Sequence, residues 1–145
     1  MSRNELKLQA EICKSVVEQG GWAKKLTNQF TIGIPDLLIS LPGLAPCLAE
    51  VKDFDVVGDK FDRKLDVSPK QRHELLTFNA VNPATAVILV GLKWGNEHHL
   101  VCLPADAERL SDAYRGATRV YTKRLPGLRY DMKEILKWQV KEIGQ

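Results

Sequence analysis

The sequence of 145 residues contains only three cysteines, and none is spaced as a metal-binding or redox pair. Cys13, Cys47 and Cys102 lie among apolar neighbours, a pattern typical of reduced core thiols in an intracellular protein. The uncharged run at positions 37–49 has 13 residues and includes two prolines and a glycine. A longer uncharged run, positions 75–92, contains two asparagines and a proline. A membrane-spanning helix needs about 20 apolar residues. We therefore expect a cytoplasmic protein with no disulfide framework and no membrane association.

Several motifs that mark common enzyme classes are also absent from the sequence. It contains no G-x-S-x-G nucleophile turn, no G-x-x-x-x-G-K-S/T phosphate loop and no G-x-G-x-x-G dinucleotide fingerprint. His98, His99 and Cys102 are the nearest approach to a zinc site, but a strand would direct the two histidines to opposite faces, and no second ligand pair accompanies them. We therefore expect no organic cofactor and no zinc.

Charge is distributed unevenly along a chain whose net charge is only +3. Residues 115–141 contain eight basic and two acidic residues, whereas residues 1–114 contain 13 basic and 15 acidic ones. A basic region is typical of contact with an anionic partner, although a solvated surface helix would carry the same charges. Lys133, Lys137 and Lys141 are spaced by four, which predicts a basic ridge along one side of a helix.

Local patterns predict two helices in the first half of the chain. The first opens with the capping-box pattern Ser2-x-x-Glu5 and ends at about Gln19, before a pair of glycines. The second begins at Ser68, whose side chain can cap it, with Pro69 at the first helical position.

Apolar runs predict the strands. "PDLLISL" and "CLAEVK" flank a Pro-Gly turn and form a predicted hairpin, preceded by a short strand or irregular stretch in "WAKKLTNQF". "TAVILVGL" is typical of a central strand covered on both faces, and "HHLVCLP" is its predicted hairpin partner. With further helices predicted over 105–116 and 131–143, this order indicates an α/β domain with a mixed central sheet and helices on its faces.

Three charged residues, Asp36, Glu50 and Lys52, fall inside the otherwise apolar hairpin. If the Pro-Gly turn centres it, Asp36 lies opposite Glu50, and Lys52 projects from the same face as Glu50. Two adjacent carboxylates repel, and a hard cation such as Mg²⁺ relieves that repulsion, with the backbone carbonyl of Val51 as a further oxygen ligand. The alternative is a salt bridge between Asp36 and Lys52 at a sheet edge, with a solvated Glu50.

These residues also carry a resemblance. Pro35-Asp36, followed after 13 residues by Glu50-Val51-Lys52, resembles the PD-(D/E)XK pattern of metal-dependent nucleases. The stretches "GIPDLLI" and "AEVK" are similar in particular to VRR-NUC domains and to the Holliday-junction resolvases of archaea and phages.

The resemblance covers about residues 5–104 and implies a restriction-endonuclease-like core. Residues 105–145 would then be a basic helical extension of the same single domain. The resemblance implies Asp36 and Glu50 as ligands of a catalytic Mg²⁺, which Mn²⁺ can replace, and Lys52 as the catalytic lysine.

The resemblance further implies a glutamate on the first helix, close to the metal site. Glu11 fits this position and would bind the metal directly or through water, with Glu5 as the alternative. Gln71 matches a glutamine that lies near the metal in VRR-NUC-type nucleases, although Ser68-x-x-Gln71 is itself a capping box. The candidate contacts to DNA phosphates are Lys70, Arg72, Lys133, Lys137 and Lys141.

The function implied by the resemblance is a Mg²⁺-dependent, structure-selective DNA endonuclease for recombination or repair. A Holliday-junction resolvase acting on branched DNA as a homodimer fits best, because a symmetric dimer places two active sites on opposing strands. The alternatives are a less selective restriction or repair nuclease and a catalytically silent DNA-binding module. The small size fits a phage protein, which would act in the host cytoplasm.

One segment departs from the resemblance. Residues 53–67 form a longer loop than a compact VRR-NUC module has, and five aspartates lie within it. We expect a mobile loop or a protruding hairpin, which would enter a junction or contact a second subunit; the alternative is a segment that is simply disordered.

Overall fold

The structure is a computed structural model that describes residues 3–26, 33–55, 63–83, 85–95, 97–110, 120–123 and 130–136. The helices and strands are α1 (Arg3–Glu18), β1 (Trp22–Lys25), β2 (Leu37–Ser40), β3 (Cys47–Asp55), α2 (Pro69–Val81), β4 (Ala86–Trp94), β5 (Glu97–Pro104) and β6 (Val120–Lys123).

The described strands form one mixed sheet in the order β1-β2-β3-β4-β5-β6. Neighbouring strands are antiparallel except β3 and β4, which are parallel because the chain crosses over through α2 between them. The predicted α/β class, with a mixed central sheet and helices, is confirmed. Among the described helices, none is long and apolar enough to cross a membrane.

The two faces of the sheet bury separate cores, because alternate residues of a strand point to opposite faces. On one face, here called the α1 face, Ile12 and Val16 of α1 pack with Val51 of β3. On the other, the α2 face, Leu75 of α2 packs with Ile88 of β4. Helical residues 132–136 add to the core of the α1 face. Full burial of one such side chain contributes about 1.5–3 kcal/mol, so both faces are strongly specified.

The hairpin of β2 and β3 has the predicted register. Its turn has Pro42 followed by Gly43 at φ 81°, and the Leu44 N–H donates to the Leu41 carbonyl at 3.1 Å, as in a type II turn. Leu37 faces Ala49 across the hairpin. One residue further from the turn, the same register sets Asp36 opposite Glu50.

The helix ends also follow the predicted signals. Gly20 has φ 83°, and the Gly21 N–H donates to the Val16 carbonyl at 2.9 Å, which closes α1 with a Schellman turn. Ser68 caps α2, with Pro69 in its first turn.

Three expectations, for the loop after β3, the helix from residue 105 and the C-terminal extension, were wrong in part. Strand β3 continues to Asp55, so the loop predicted from residue 53 begins later, and residues 56–62 of it lie outside the described residues. Residues 105–109 are turn and bridge rather than helix, because Arg109 pairs with Lys64 and the Leu110 N–H donates to the Arg63 carbonyl. Residues 111–116 of the predicted helix lie outside the described residues. The C-terminal extension is not wholly helical either, since it contributes β6 to the sheet.

Candidate active site

Asp36 lies immediately before β2 and is held by both neighbouring strands. Its backbone carbonyl accepts a hydrogen bond from the Leu26 N–H at 2.9 Å. Its Oδ2 accepts one from the Val51 N–H, also at 2.9 Å. The side chain is 1% exposed. Asp36 is therefore fixed between Leu26 and β3, with one carboxylate oxygen bound to the backbone of β3.

Glu50 and Lys52 lie on β3 and point to the α2 face. Glu50 is 1% exposed, and its Oε2 lies 3.6 Å from Lys52 Nζ. The Lys52 side chain is 13% exposed, so its stem is largely covered. The structure thus brings Asp36, Glu50 and Lys52 together as the hairpin register predicted. The alternative of an Asp36–Lys52 salt bridge beside a solvated Glu50 is wrong, because Glu50 is buried and is itself the ion-pair partner of Lys52.

The electrostatics of the pair are unfavourable without a further positive charge. Burial raises the pKa of Glu50 to about 8, the adjacent Asp36 adds to the rise, and Lys52 opposes it. Asp36 Oδ1 and Glu50 Oε1 are buried, and neither has a hydrogen-bond partner in the part of the chain that is described. Buried polar atoms are paired in the great majority of cases, so two unpaired carboxylate oxygens at one place point to an absent ligand.

A divalent cation fits these two oxygens. No group of three or more His, Cys, Asp or Glu side chains that would hold a metal occurs among the described residues. Mg²⁺ does not require such a group, because it binds commonly through one or two carboxylates and keeps waters and substrate phosphates as its other ligands. Asp36 and Glu50 would supply the two carboxylates. The Val51 carbonyl as a third ligand stays a prediction.

Glu11 lies elsewhere, in a cavity of about 470 Å³ that it lines together with Asp53 and Asp55 of β3. Asp53 follows Lys52 directly, so its side chain belongs to the α1 face and not to the face of Glu50. Burial raises the pKa of Asp53 to about 6, with contributions from Asp55, Glu5 and Glu11. The role of Glu11 in metal binding stays a prediction. The position of Asp53 at this cavity was not predicted, because the sequence analysis ended the strand at Lys52. A strand that continues to Asp55 places Asp53 on the α1 face.

The three candidates at the start of α2 differ in what they contact. Gln71 completes the capping box, since its Oε1 accepts from the Ser68 N–H at 3.2 Å. Lys70 is exposed and packs against Gly33, where a Cβ atom would lie 2.6 Å from the Lys70 Cβ. Lys70 is thus anchored to the segment that leads into Asp36. Roles for Gln71 in the site and for Lys70 in DNA contact stay predictions.

Arg72 has hydrogen bonds within the protein in addition to its predicted phosphate contact. Its Nη1 donates to the backbone carbonyls of Ala105 and Ala107. Charged donors satisfy such carbonyls strongly, so a phosphate would have to compete with both bonds. A DNA contact by Arg72 through its other N–H groups stays a prediction.

Lys133 is exposed and lies at the far side of the molecule from the buried pair. Its backbone N–H donates to Gln19 Oε1 at 3.0 Å, and the helical residues 132–136 pack on the α1 face. A DNA contact by Lys133 would therefore involve a different surface from the one around Glu50. Lys137 and Lys141 lie outside the described residues, so the ridge predicted with them is not described.

Comparison with known proteins finds structural likeness but no match in sequence families. No protein-family model and no curated protein matches the chain. A solved structure that is similar is Hjc, a Holliday junction resolvase from the archaeal hyperthermophile Archaeoglobus fulgidus. The TM-score is 0.47 and the sequence identity 16%, over 73% of this chain and 80% of that chain. The function of this chain therefore has to be argued from its own residues.

Proposed function

We propose that this chain is a metal-dependent nuclease that hydrolyses DNA phosphodiester bonds. The observation that carries the proposal is the buried pair of Asp36 and Glu50 beside the Lys52 ammonium. Each carboxylate has one oxygen without a hydrogen-bond partner among the described residues. Two buried carboxylates are not needed for stability, because apolar residues of similar volume would fill the same part of the core at least as well. The sequence resemblance to PD-(D/E)XK nucleases supports the same reading.

Each of the three residues has a definable task. Asp36 and Glu50 would hold Mg²⁺, which when bound supplies Lewis-acid polarisation of the phosphodiester and a more acidic water. The Val51 N–H fixes Oδ2 of Asp36, so that the opposite oxygen is aimed at the ligand. Glu50, whose pKa is raised, has to release its proton before it can serve as a ligand. The Lys52 ammonium would orient the attacking water or stabilise negative charge that develops on the phosphate.

A finer assignment is that the substrate is branched DNA, cut by a homodimer acting as a Holliday-junction resolvase. The support for this is the resemblance of "GIPDLLI" and "AEVK" to the resolvases and VRR-NUC domains. Two symmetry-related sites would cut opposing strands of a junction in pairs.

The test is a cleavage assay with Mg²⁺ on a labelled four-way junction, a flap and a linear duplex of matched sequence. We expect paired nicks in the junction and no cutting by Glu50→Gln, which controls for contaminating nuclease. Equal cutting of all three substrates would leave a nuclease but remove the resolvase assignment. No cutting with Mg²⁺ or Mn²⁺ would contradict the proposed function.

A further inference from the structure

The edge strand β1 has an exposed tryptophan and an exposed lysine that project from the same face of the sheet. Strand β1 pairs with β2 so that Trp22 faces Ser40 and Lys24 faces Leu38. The Leu26 N–H bond to Asp36 continues the same register by one pair. Residues that face each other across antiparallel strands project from the same face of the sheet.

Packing identifies that face as the one with the candidate active site. Leu26 and Leu38 pack against the core of the α2 face, whereas Ala23 packs against the core of the α1 face. Trp22 and Lys24 therefore share a face with Glu50 and not with Ala23. Alternation sends the next lysine, Lys25, to the α1 face.

The row formed by Trp22, Lys24 and Leu26 leads away from Asp36 along the open edge of the sheet. A strand rises about 3.3 Å per residue, so Lys24 lies about 7 Å and Trp22 about 13 Å along the strand from the residue that faces Asp36. Trp22 is 51% exposed, and Lys24 is exposed as well. The row thus ends in an indole and an ammonium that are open to solvent on the catalytic side.

We propose that Trp22 and Lys24 bind an unpaired stretch of the DNA strand next to the cleaved phosphate, with a base stacked on the indole and a phosphate at the ammonium. This proposal rests on the proposed function, which supplies the DNA. Charge complementarity favours a polyanion, and an exposed aromatic ring next to a cation is the arrangement that single-stranded nucleic acid uses. A base inside a duplex has no free face for the indole, so the preferred segment is unpaired.

A structural role competes with this assignment for the lysine. Lysines on an edge strand discourage pairing with another chain, whichever face they point to. Lys25 would serve that role as well as Lys24, because it is also exposed and on the same strand. Lys25 is therefore a matched control: its charge is identical and its face is opposite.

The experiment measures binding of the full-length chain to a fluorescein-labelled single strand and to a blunt duplex of the same sequence. EDTA is present, so that neither cleavage nor metal binding contributes. We expect Trp22→Ala to weaken single-strand binding by about tenfold and Trp22→Phe to retain most of it. Lys24→Ala should reduce the slope of log affinity against log salt by about one, while Lys25→Ala leaves that slope unchanged.

The proposal is overturned if Trp22→Ala binds the single strand as the parent does, if Lys25→Ala loses as much as Lys24→Ala, or if the parent does not bind the single strand. Thermal unfolding of each variant shows whether a loss of binding comes from misfolding. If Trp22→Ala does not fold, Trp22→Phe still tests the proposal, because it should fold and retain most of the single-strand binding. If the parent cuts DNA while the Trp22 and Lys24 variants bind normally, the proposed nuclease function stands and the proposed single-strand contact is wrong. If binding depends on Trp22 in a chain that cuts nothing, the single-strand contact stands and the nuclease function is wrong.

Discussion

Two groups of carboxylates lie on opposite faces of the sheet and differ in their surroundings. Glu50, on the α2 face, is buried against Asp36, and each has an oxygen without a hydrogen-bond partner among the described residues. Asp53, on the α1 face, is half-buried at a cavity that Lys7 and Lys93 also line. Solvent and nearby cations can satisfy the second group. The first group is shut off from solvent and has one cation, Lys52, for two carboxylates, which makes it the better candidate for a metal site.

The largest effect that separates the two faces should come from their lysines. Lys52→Ala removes the ammonium beside Glu50, and we expect single-turnover cleavage to fall by about 10²–10³-fold. Binding of DNA should change little. Lys93→Ala is the matched control on the α1 face, beside Asp53, and should leave the cleavage rate within about twofold of the parent, as expected of a surface change. Similar losses in both variants would contradict the distinction between the faces.

The second prediction concerns the pH dependence of stability without metal. The folded-state pKa of Glu50, about 8, lies above its unfolded value near 4.5, so the native state holds a proton that the unfolded state has lost. Its contribution to stability is therefore complete below about pH 4.5 and is lost as the pH rises toward 8, at about 1.4 kcal/mol per pH unit. Glu50→Gln has no such proton, so its stability should fall less over this range.

Urea unfolding in EDTA at several pH values between these limits measures both slopes. Comparing the parent with Glu50→Gln cancels the titration of other groups, including Asp53. Saturating Mg²⁺ should flatten the curve of the parent, because a ligand of the native state stabilises it most where Glu50 is readily ionised. Parallel curves for parent and variant would show that Glu50 is not the titrating group.

The third prediction separates the structural from the chemical task of Asp36. Asp36→Ala leaves the buried Val51 N–H without its acceptor, which should cost about 1–3 kcal/mol of unfolding free energy. Asp36→Asn retains a side-chain oxygen for that N–H and should be closer to the parent in stability. Both variants should lose cleavage. Unfolding is best measured near pH 5.5, where Glu50 holds its proton. The variants then gain no stability from losing the repulsion between Asp36 and an ionised Glu50, which would mask the cost of the lost hydrogen bond. Equal stability of the two variants would contradict this role.

The smallest effect is expected from Glu11. Because Glu11 raises the pKa of Asp53, Glu11→Gln should lower that pKa, which an NMR titration of the Asp53 carboxyl can detect. Its place on the α1 face leads us to expect a small change in cleavage. A loss of about 10–100-fold would instead support the role through water that the sequence resemblance implies.

The fold was predictable from the sequence where local chemistry decides it. The Pro-Gly turn sets the register of β2 and β3, and with it the pairing of Asp36 and Glu50. Ser68 and the glycines after α1 fix the helix ends. In the described part of the helix predicted over 105–116, residues 105–109 are not helical. Residues 108–110 pair instead with residues 63–65, a contact between distant parts of the chain that local propensity does not encode.

The site was predictable in part for the same reason. Lys52 follows Glu50 at a spacing that fixes its face, so the sequence alone placed it. The hydrogen bonds of Arg72 to the carbonyls of Ala105 and Ala107 could not be predicted, because they depend on how distant parts of the chain pack. Trp22 was not singled out, since its face follows from the register of an edge strand with no turn signal to set it.

The most direct test of the central claim is a metal titration of the DNA-free protein. Calorimetry with Mn²⁺, run in two buffers of different ionisation enthalpy, measures both binding and proton release. The account predicts binding by the parent with release of a proton near pH 7, because Glu50 has to ionise. Glu50→Gln should lose the binding and Glu11→Gln should keep it. Binding that is equal in the parent and Glu50→Gln, or lost only in Glu11→Gln, would place the metal on the other face and contradict the account.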